Sequence, residues 1–229
     1  MTAIVPSYHL NPNQRTPCML VLDISNSMNT RAGKGTRIGE LNQGLKVLEQ
    51  ALREDEAAIY RVQIAIVTVG GPRDEAVLML DWTDACDLEV PTLEAAGTTP
   101  LGQGMQLALH HIERQKQTLR NNGVPYTRPW VMVISDGEPT DAPQLWSAAA
   151  LDCREAEKRK RCVIYPIGVD GADLKKLQQL SATPAKMLRA ANFSEYFQWL
   201  SASLSVVSNS SEKDSLVLPA TDPWSVVQR

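Results

Sequence analysis

Three short stretches carry side chains suited to one kind of chemistry: Asp23-Ile24-Ser25-Asn26-Ser27, Gly97-Thr98-Thr99-Pro100-Leu101-Gly102 and Ser135-Asp136-Gly137-Glu138. Each follows or faces a run that reads as a strand end. Together they offer carboxylates and small hydroxyls, the ligands that a hard divalent cation takes in octahedral geometry while keeping some water. In an Asp-x-Ser-x-Ser turn alternate side chains face the same way, so Asp23, Ser25 and Ser27 can converge on one point. Asn26 stands where glycine would be least strained, and asparagine tolerates a left-handed backbone. Ligand hardness and cellular availability favour Mg2+, with Mn2+ or Ca2+ as alternatives.

Each stretch also has an ordinary reading. The serines would cap the helix that begins near Ile38, Thr99 would cap a helix with Pro100 in its first turn, and Asp136 would belong to an Asp-Gly turn. None of these readings accounts for three oxygen-bearing loops occurring in this order, each after a strand.

The elements that must position these loops are legible in the apolar pattern. Residues 16–24, 128–135 and 162–169 are nearly continuous apolar runs, as expected of parallel strands covered on both faces. Residues 61–69 alternate more. The turn at Gly70-Gly71-Pro72-Arg73-Asp74 leads into 75–82 as an antiparallel edge strand. Ile38, Leu41, Leu45, Leu48 and Leu52 recur at helical spacing, as do Leu101, Met105, Ala108 and Ile112. Asp141 is placed to cap a third helix running to about Arg161. A short helix over 173–180, a strand-like 185–190 and a last amphipathic helix capped by Ser194 follow. The fold class is therefore α/β, a three-layer doubly wound fold with a mostly parallel sheet and one antiparallel edge strand. In such folds ligands bind at the carboxyl ends of strands, where Asp23 and Asp136 both sit.

The order Asp-x-Ser-x-Ser, Gly-x-Thr-Pro-Leu-Gly, Ser-Asp-Gly-Glu-Pro resembles the metal-ion-dependent adhesion site (MIDAS) of von Willebrand factor type A (vWA) domains, from about Thr16 to Ser210. The resemblance implies a Rossmann-like vWA fold and a metal held by Asp23, Ser25, Ser27, Thr99 and Asp136. Thr99 is preferred to its neighbour Thr98 because it stands three residues before Gly102. Residues 38–45, 91–102, 164–169 and 193–210 look most like the bacterial TerY-type proteins of tellurium-resistance loci. That implies an intracellular protein encoded with a PP2C-like phosphatase and a protein kinase. Residues 31–37 read as a lengthening after Met28, beside the metal loop.

Composition limits the alternatives. The chain has 229 residues, 43% hydrophobic and 21% charged, and a formal net charge of -3. That balance suits one large domain and gives no pull toward nucleic acid or anionic membrane. Residues 1–15 read as an N-terminal extension, 16–210 as the vWA domain and 211–229 as a C-terminal tail in which Trp224 is the one sticky residue. No signal-peptide run or stretch of about 20 apolar residues is present, and the four cysteines lack zinc or disulfide spacing, so the expected location is cytoplasmic. Leu218-Pro219-Ala220-Thr221-Asp222 is similar to a sortase signal but lacks its glycine, apolar tail and basic end.

The expected function is that of a scaffold or adaptor, not an enzyme. A metal ion with one vertex open would take a Glu or Asp from a protein partner, and Lys34 and Arg37 would steer an acidic surface. The alternative, a metal-dependent hydrolase or phosphatase using the same carboxylates, needs a base or second metal near the ion. His9, His110 and His111 adjoin none of the motifs, and Glu138 is the nearest spare base. The glycines at 33–36 and 102–104 complete no nucleotide-binding fingerprint. The basic run Lys158-Arg159-Lys160-Arg161 reads as a solvated helix end. Trp82, Trp130, Trp146 and Trp199 read as core anchors.

Overall fold

A computed structural model describes residues 11–33, 35–136, 138–210, 217–221 and 224–226. His9 and Lys34 lie outside the described residues, so their expected roles have no structural counterpart. In chain order the elements are β1 (Thr16–Ile24), β2 (Arg31–Ala32), β3 (Gly35–Thr36), α1 (Arg37–Glu54), β4 (Val62–Gly70), β5 (Glu75–Asp84) and α2 (Leu101–Asn121). Then come β6 (Trp130–Ser135), α3 (Pro143–Lys158), β7 (Val163–Gly168), α4 (Leu174–Leu177), β8 (Lys186–Leu188), α5 (Phe193–Asn209) and β9 (Ser225–Val226).

The main sheet has the order β5-β4-β1-β6-β7-β8-β9. The four inner pairings from β4 to β8 are parallel, and β5 is the expected antiparallel edge strand. At the opposite edge β9 adds a second antiparallel strand, pairing Met187 with Val226 and Leu188 with Ser225. Periodicity could not announce a two-residue strand. Trp224, just before it, is 1% exposed and stacks near Tyr196 and Trp199 at ring separations of 5.0 and 5.1 Å. The segment read as a tail thus closes part of the core.

Period-two alternation splits β1 between two cores. Cys18, Leu20, Leu22 and Ile24 pack with α1 and α5, while Met19 and Val21 pack with α2 and α3. In β6, Met132 and Ile134 go to the first core, Val131 and Val133 to the second. Burial on both faces is why these strands read as unbroken apolar runs. Leu41, Leu45, Leu48 and Leu52 form the fully buried stripe of α1, each worth about 1.5–3 kcal/mol over exposure. Gly44, on the same face, lets α1 approach α5, since a Cβ there would lie 2.6 Å from Phe197 Cδ2. Trp82, Trp130, Trp146 and Trp199 are all buried, as expected of core anchors.

Three local expectations are corrected. Asn192, not Ser194, caps α5, accepting the Glu195 N–H at 3.3 Å. Asp141 does not cap its own helix; Ala142 occupies that position without a side-chain bond. Asn26 does not adopt a left-handed backbone. It opens a single 3-10 turn, Asn26–Asn29, pinned by buried Met28.

Candidate metal centre

The same alternation that builds the cores delivers the site. Asp23 and Ser135 share the parity of Met19, Val21, Val131 and Val133, so they emerge on one face at the carboxyl ends of adjacent strands. Asp23 is 0% exposed, and both its oxygens are engaged: Oδ1 accepts the Ser25 N–H at 2.9 Å and Oδ2 accepts the Ser135 hydroxyl at 2.7 Å. Burial pushes the Asp23 carboxyl above the usual carboxylate range. The hydrogen bonds from Ser25 and Ser135 oppose that shift, and the nearby charge of Asp136 adds to it. Two carboxylates that repel one another at a buried point are a site that a cation would relieve.

Ser25 is buried at the end of β1, and Ser27 is half-buried in the 3-10 turn; their hydroxyl oxygens are 2.8 Å apart. Neighbouring ligands in a regular octahedron with metal–oxygen bonds of 2.0–2.1 Å stand about 2.9 Å apart. The pair therefore fits two adjacent Mg2+ vertices, and equally two equatorial neighbours of a pentagonal-bipyramidal Ca2+ at about 2.4 Å.

The capping alternatives fail on geometry. Helix α1 is capped by Thr36, which accepts the Gly39 N–H at 3.3 Å, and Ser25 makes no side-chain cap bond. Helix α2 starts with Pro100 in the cap position and no side-chain cap of its own; Thr99 does not serve it. Its first N–H groups donate instead to Asp141, Gly102 at 2.7 Å and Gln103 at 3.2 Å. The oxygens of Ser25, Ser27 and Thr99 are thus not consumed by helix ends.

Thr99 is 4% exposed and Thr98 is exposed, the burial expected if Thr99 is the inward one of the doublet. The loop that carries them is welded to the first: Asn26 N–H donates to Gly97 O at 2.9 Å and Ala96 N–H to Ile24 O at 2.8 Å. Gly97 has φ 73°, and a Cβ there would lie 2.2 Å from Gly71 O, so only glycine lets the loops close up. Asp136 is half-buried at the end of β6; its carbonyl accepts the Asp173 N–H at 3.0 Å, fixing the third loop against the start of α4. The structure brings Asp23, Ser25 and Ser27 together directly, and Asp136 lies near enough for its charge to add to the upward shift of the Asp23 carboxyl.

Arg37, expected to steer partners, is engaged internally: its guanidinium donates to Asp170 O and, at 3.5 Å, to Ser27 O. The 31–37 lengthening is a two-residue hairpin, Arg31 opposite Thr36 and Ala32 opposite Gly35, that ends in the cap of α1. Glu138 is exposed, His110 is exposed, and His111 is half-buried on α2, its carbonyl accepting Trp82 Nε1–H at 3.3 Å. Sequence reasoning missed Ser135 as a donor to Asp23 and Asp141 as the cap of α2. The second carried no local signal, because Thr99 before Pro100 reads as a cap in sequence and only the fold brings Asp141 to the start of α2.

With this geometry in view, the von Willebrand factor type A domain model matches residues 19–201. The chain belongs to the von Willebrand factor type A domain family. No curated protein matches it. Among solved structures, this vWA domain is similar to the pilus adhesin SpaC of Lactobacillus rhamnosus GG, at 13% identity and TM-score 0.64, covering 85% of this chain and 31% of that one. It is also similar to the vWF domain of the type V pili tip protein Mfa5 of Porphyromonas gingivalis, at 11% identity and TM-score 0.60, covering 88% and 99%. A third likeness is to proximal thread matrix protein 1 of the mussel byssus, solved with a zinc-occupied MIDAS motif, at 15% identity and TM-score 0.55, covering 83% and 47%. The vWA domain thus spans less than half the length of SpaC and of the byssus protein. Identities this low show a shared fold. Among the described residues no helix is long and apolar enough to cross a membrane.

Proposed function

We propose that this vWA domain is a metal-dependent protein-interaction module with a divalent cation held by Asp23, Ser25, Ser27, Thr99 and Asp136. The carrying observation is the buried Asp23 carboxylate beside a hydroxyl pair spaced 2.8 Å apart and free of capping duty. The oxygen-only ligand set suits a hard ion such as Mg2+, and the zinc-occupied MIDAS of the byssus protein supports a divalent ion in a site of this type. When bound, the ion supplies an electrophilic vertex for an anionic oxygen. The chain's own residues orient it: Ser135 and the Ser25 N–H fix the Asp23 carboxylate, and the Gly97 turn presents Thr99.

In this reading the sixth protein-derived neighbour of the ion is a Glu or Asp carboxylate from a partner protein. The resemblance to TerY-type proteins points to a stress-response or phosphosignalling assembly with a PP2C-like phosphatase or a protein kinase, and to residues 16–210 as the interacting domain. A reducing cytoplasmic setting is supported by four free thiols, three of them buried and none paired. A non-catalytic role is supported by the placement of His110 and His111 along α2 and by the exposure of Glu138.

The test is co-purification from the native host with Mg2+ or with chelator, using wild type, Asp23→Ala and Asp136→Ala. A carboxylate-bearing partner retained by wild type in Mg2+ and lost under the other conditions is the expected result. Equal retention throughout removes the metal from the interface.

A further inference from the structure

The loop that carries Thr99 is held from both flanks by carboxylates that are not themselves candidate ligands. On one side, Asp74 accepts the Thr98 N–H from a turn where its own φ is 54°, a left-handed conformation that aspartate tolerates better than most residues. On the other side the third metal loop reaches back across the site. Thr140 Oγ1 accepts the Thr99 N–H at 3.1 Å, and Thr140 N–H donates to Thr99 O at 2.9 Å. The next residue, Asp141, takes the Gly102 and Gln103 N–H groups at 2.7 and 3.2 Å.

These four bonds join the loop after β6 to the residues on either side of Pro100. Thr99 therefore takes its position from the third loop, at Thr140, four residues beyond Asp136 in sequence. A carboxylate here also faces the positive end of α2, a favourable placement for a negative charge. Asp141 sits over Gly102 so closely that a Cβ on Gly102 would lie 3.1 Å from the Asp141 Cγ. The bidentate grip requires that glycine.

We propose that Asp141, with Thr140, is a positioning residue of the metal site, acting through Thr99 and making ion affinity depend on a residue that does not touch the ion. This rests on the reading of Thr99 as a ligand. Outer hydrogen-bond partners of metal ligands typically change affinity by about 10–100-fold when removed, and here Thr140 fixes the backbone at Thr99 while Asp141 fixes it at Gly102 and Gln103, on the other side of the helix start.

The experiment is Mg2+ titration by calorimetry on four variants of the full chain, each checked for native circular dichroism. Asp141→Ala is expected to weaken Mg2+ binding by about 10–100-fold, and Asp141→Asn, which keeps the shape and one acceptor, by less. Asn192→Ala removes the cap of α5 instead; it should lower the melting temperature comparably and leave Mg2+ affinity at the wild-type value. Thr99→Val should abolish the affinity that Asp141→Ala weakens. Wild-type affinity in Asp141→Ala and Asp141→Asn together with loss in Thr99→Val would overturn the positioning role alone. Wild-type affinity in Thr99→Val would overturn Thr99 as a ligand and the positioning role with it, and absence of Mg2+ binding in the wild type would overturn the metal reading itself. Equal weakening by Asn192→Ala would reduce Asp141 to a structural cap.

Discussion

Ser135 donates its hydroxyl to Asp23 at 2.7 Å, joining two parallel strands across 112 residues of sequence at the point where the ion would sit. The bond holds one carboxylate oxygen in a set direction, and it does so at a point where the carboxylate is fully buried.

The first prediction follows from that burial. Because the folded-state pKa of Asp23 is raised above its unfolded value, the folded protein binds more protons between the two, and stability falls as pH rises through that window. Asp23→Asn removes the penalty while keeping an acceptor for the Ser25 N–H and a donor for the Ser135 oxygen. In metal-free buffer at neutral pH this variant should melt above wild type, and the difference should shrink as pH falls toward the ordinary carboxylate range. Wild type should gain about 2.7 kcal/mol when Mg2+ is raised to 100 times its dissociation constant, and the variant nothing. Thermal melts with and without Mg2+ across pH read both effects.

A second prediction separates the scaffold from the site. Gly44→Ala places a Cβ 2.6 Å from Phe197 Cδ2 and 2.8 Å from Phe193 Cβ. Forced into a filled contact between α1 and α5, it should lower stability by about 1–3 kcal/mol in denaturant titration. Mg2+ affinity of the surviving fold should be unchanged, since α5 lies on the other face of the sheet from Asp23.

Thiol reactivity gives a third. Burial pushes Cys162 up to about 12 and raises Cys18 and Cys153 further, and all three are 0% exposed. Cys86 is half-buried and also raised, first by burial and then by Asp87 and Asp84, yet it alone is within reach of reagent. A disulfide reagent at pH 8 should label one thiol slowly in the native state and the remaining three only after unfolding. Mass spectrometry should assign the first label to Cys86.

The fourth concerns the C-terminal strand. Trp224→Ala removes a side chain packed against Tyr196 and Trp199 and should cost about 3–5 kcal/mol by urea unfolding. A loss below about 1 kcal/mol, the usual range for a surface change, would mean that this segment does not belong to the core.

Much of this was legible because burial leaves a long signature. Strands covered on both faces declared themselves as apolar runs, and β1 matches its expected limits, Thr16 to Ile24. The leucine stripe of α1 and the antiparallel β5 were equally readable. What escaped were relations between distant residues. Asp141 looks like a cap for the helix it precedes, and nothing in its own neighbourhood says that the helix starting at Leu101 takes it instead. Arg37 reads as a solvated cation until the carbonyl of Asp170, 133 residues away, meets it. Trp224 and β9 were hidden because two residues of strand have no period.

The strand order carries one more consequence. β4, β1 and β6 lie side by side although 37 residues separate the first two along the chain and over a hundred separate β1 from β6. The oxygen cage is contributed by turns that meet only after those parallel pairings have formed, the slowest kind of contact for a chain to make. An early collapsed intermediate would hold all five donors and still have nowhere to seat an ion. Cation uptake during refolding should therefore coincide with the last docking of β6 on β1, making the metal a reporter of completed assembly, with no part in nucleating it.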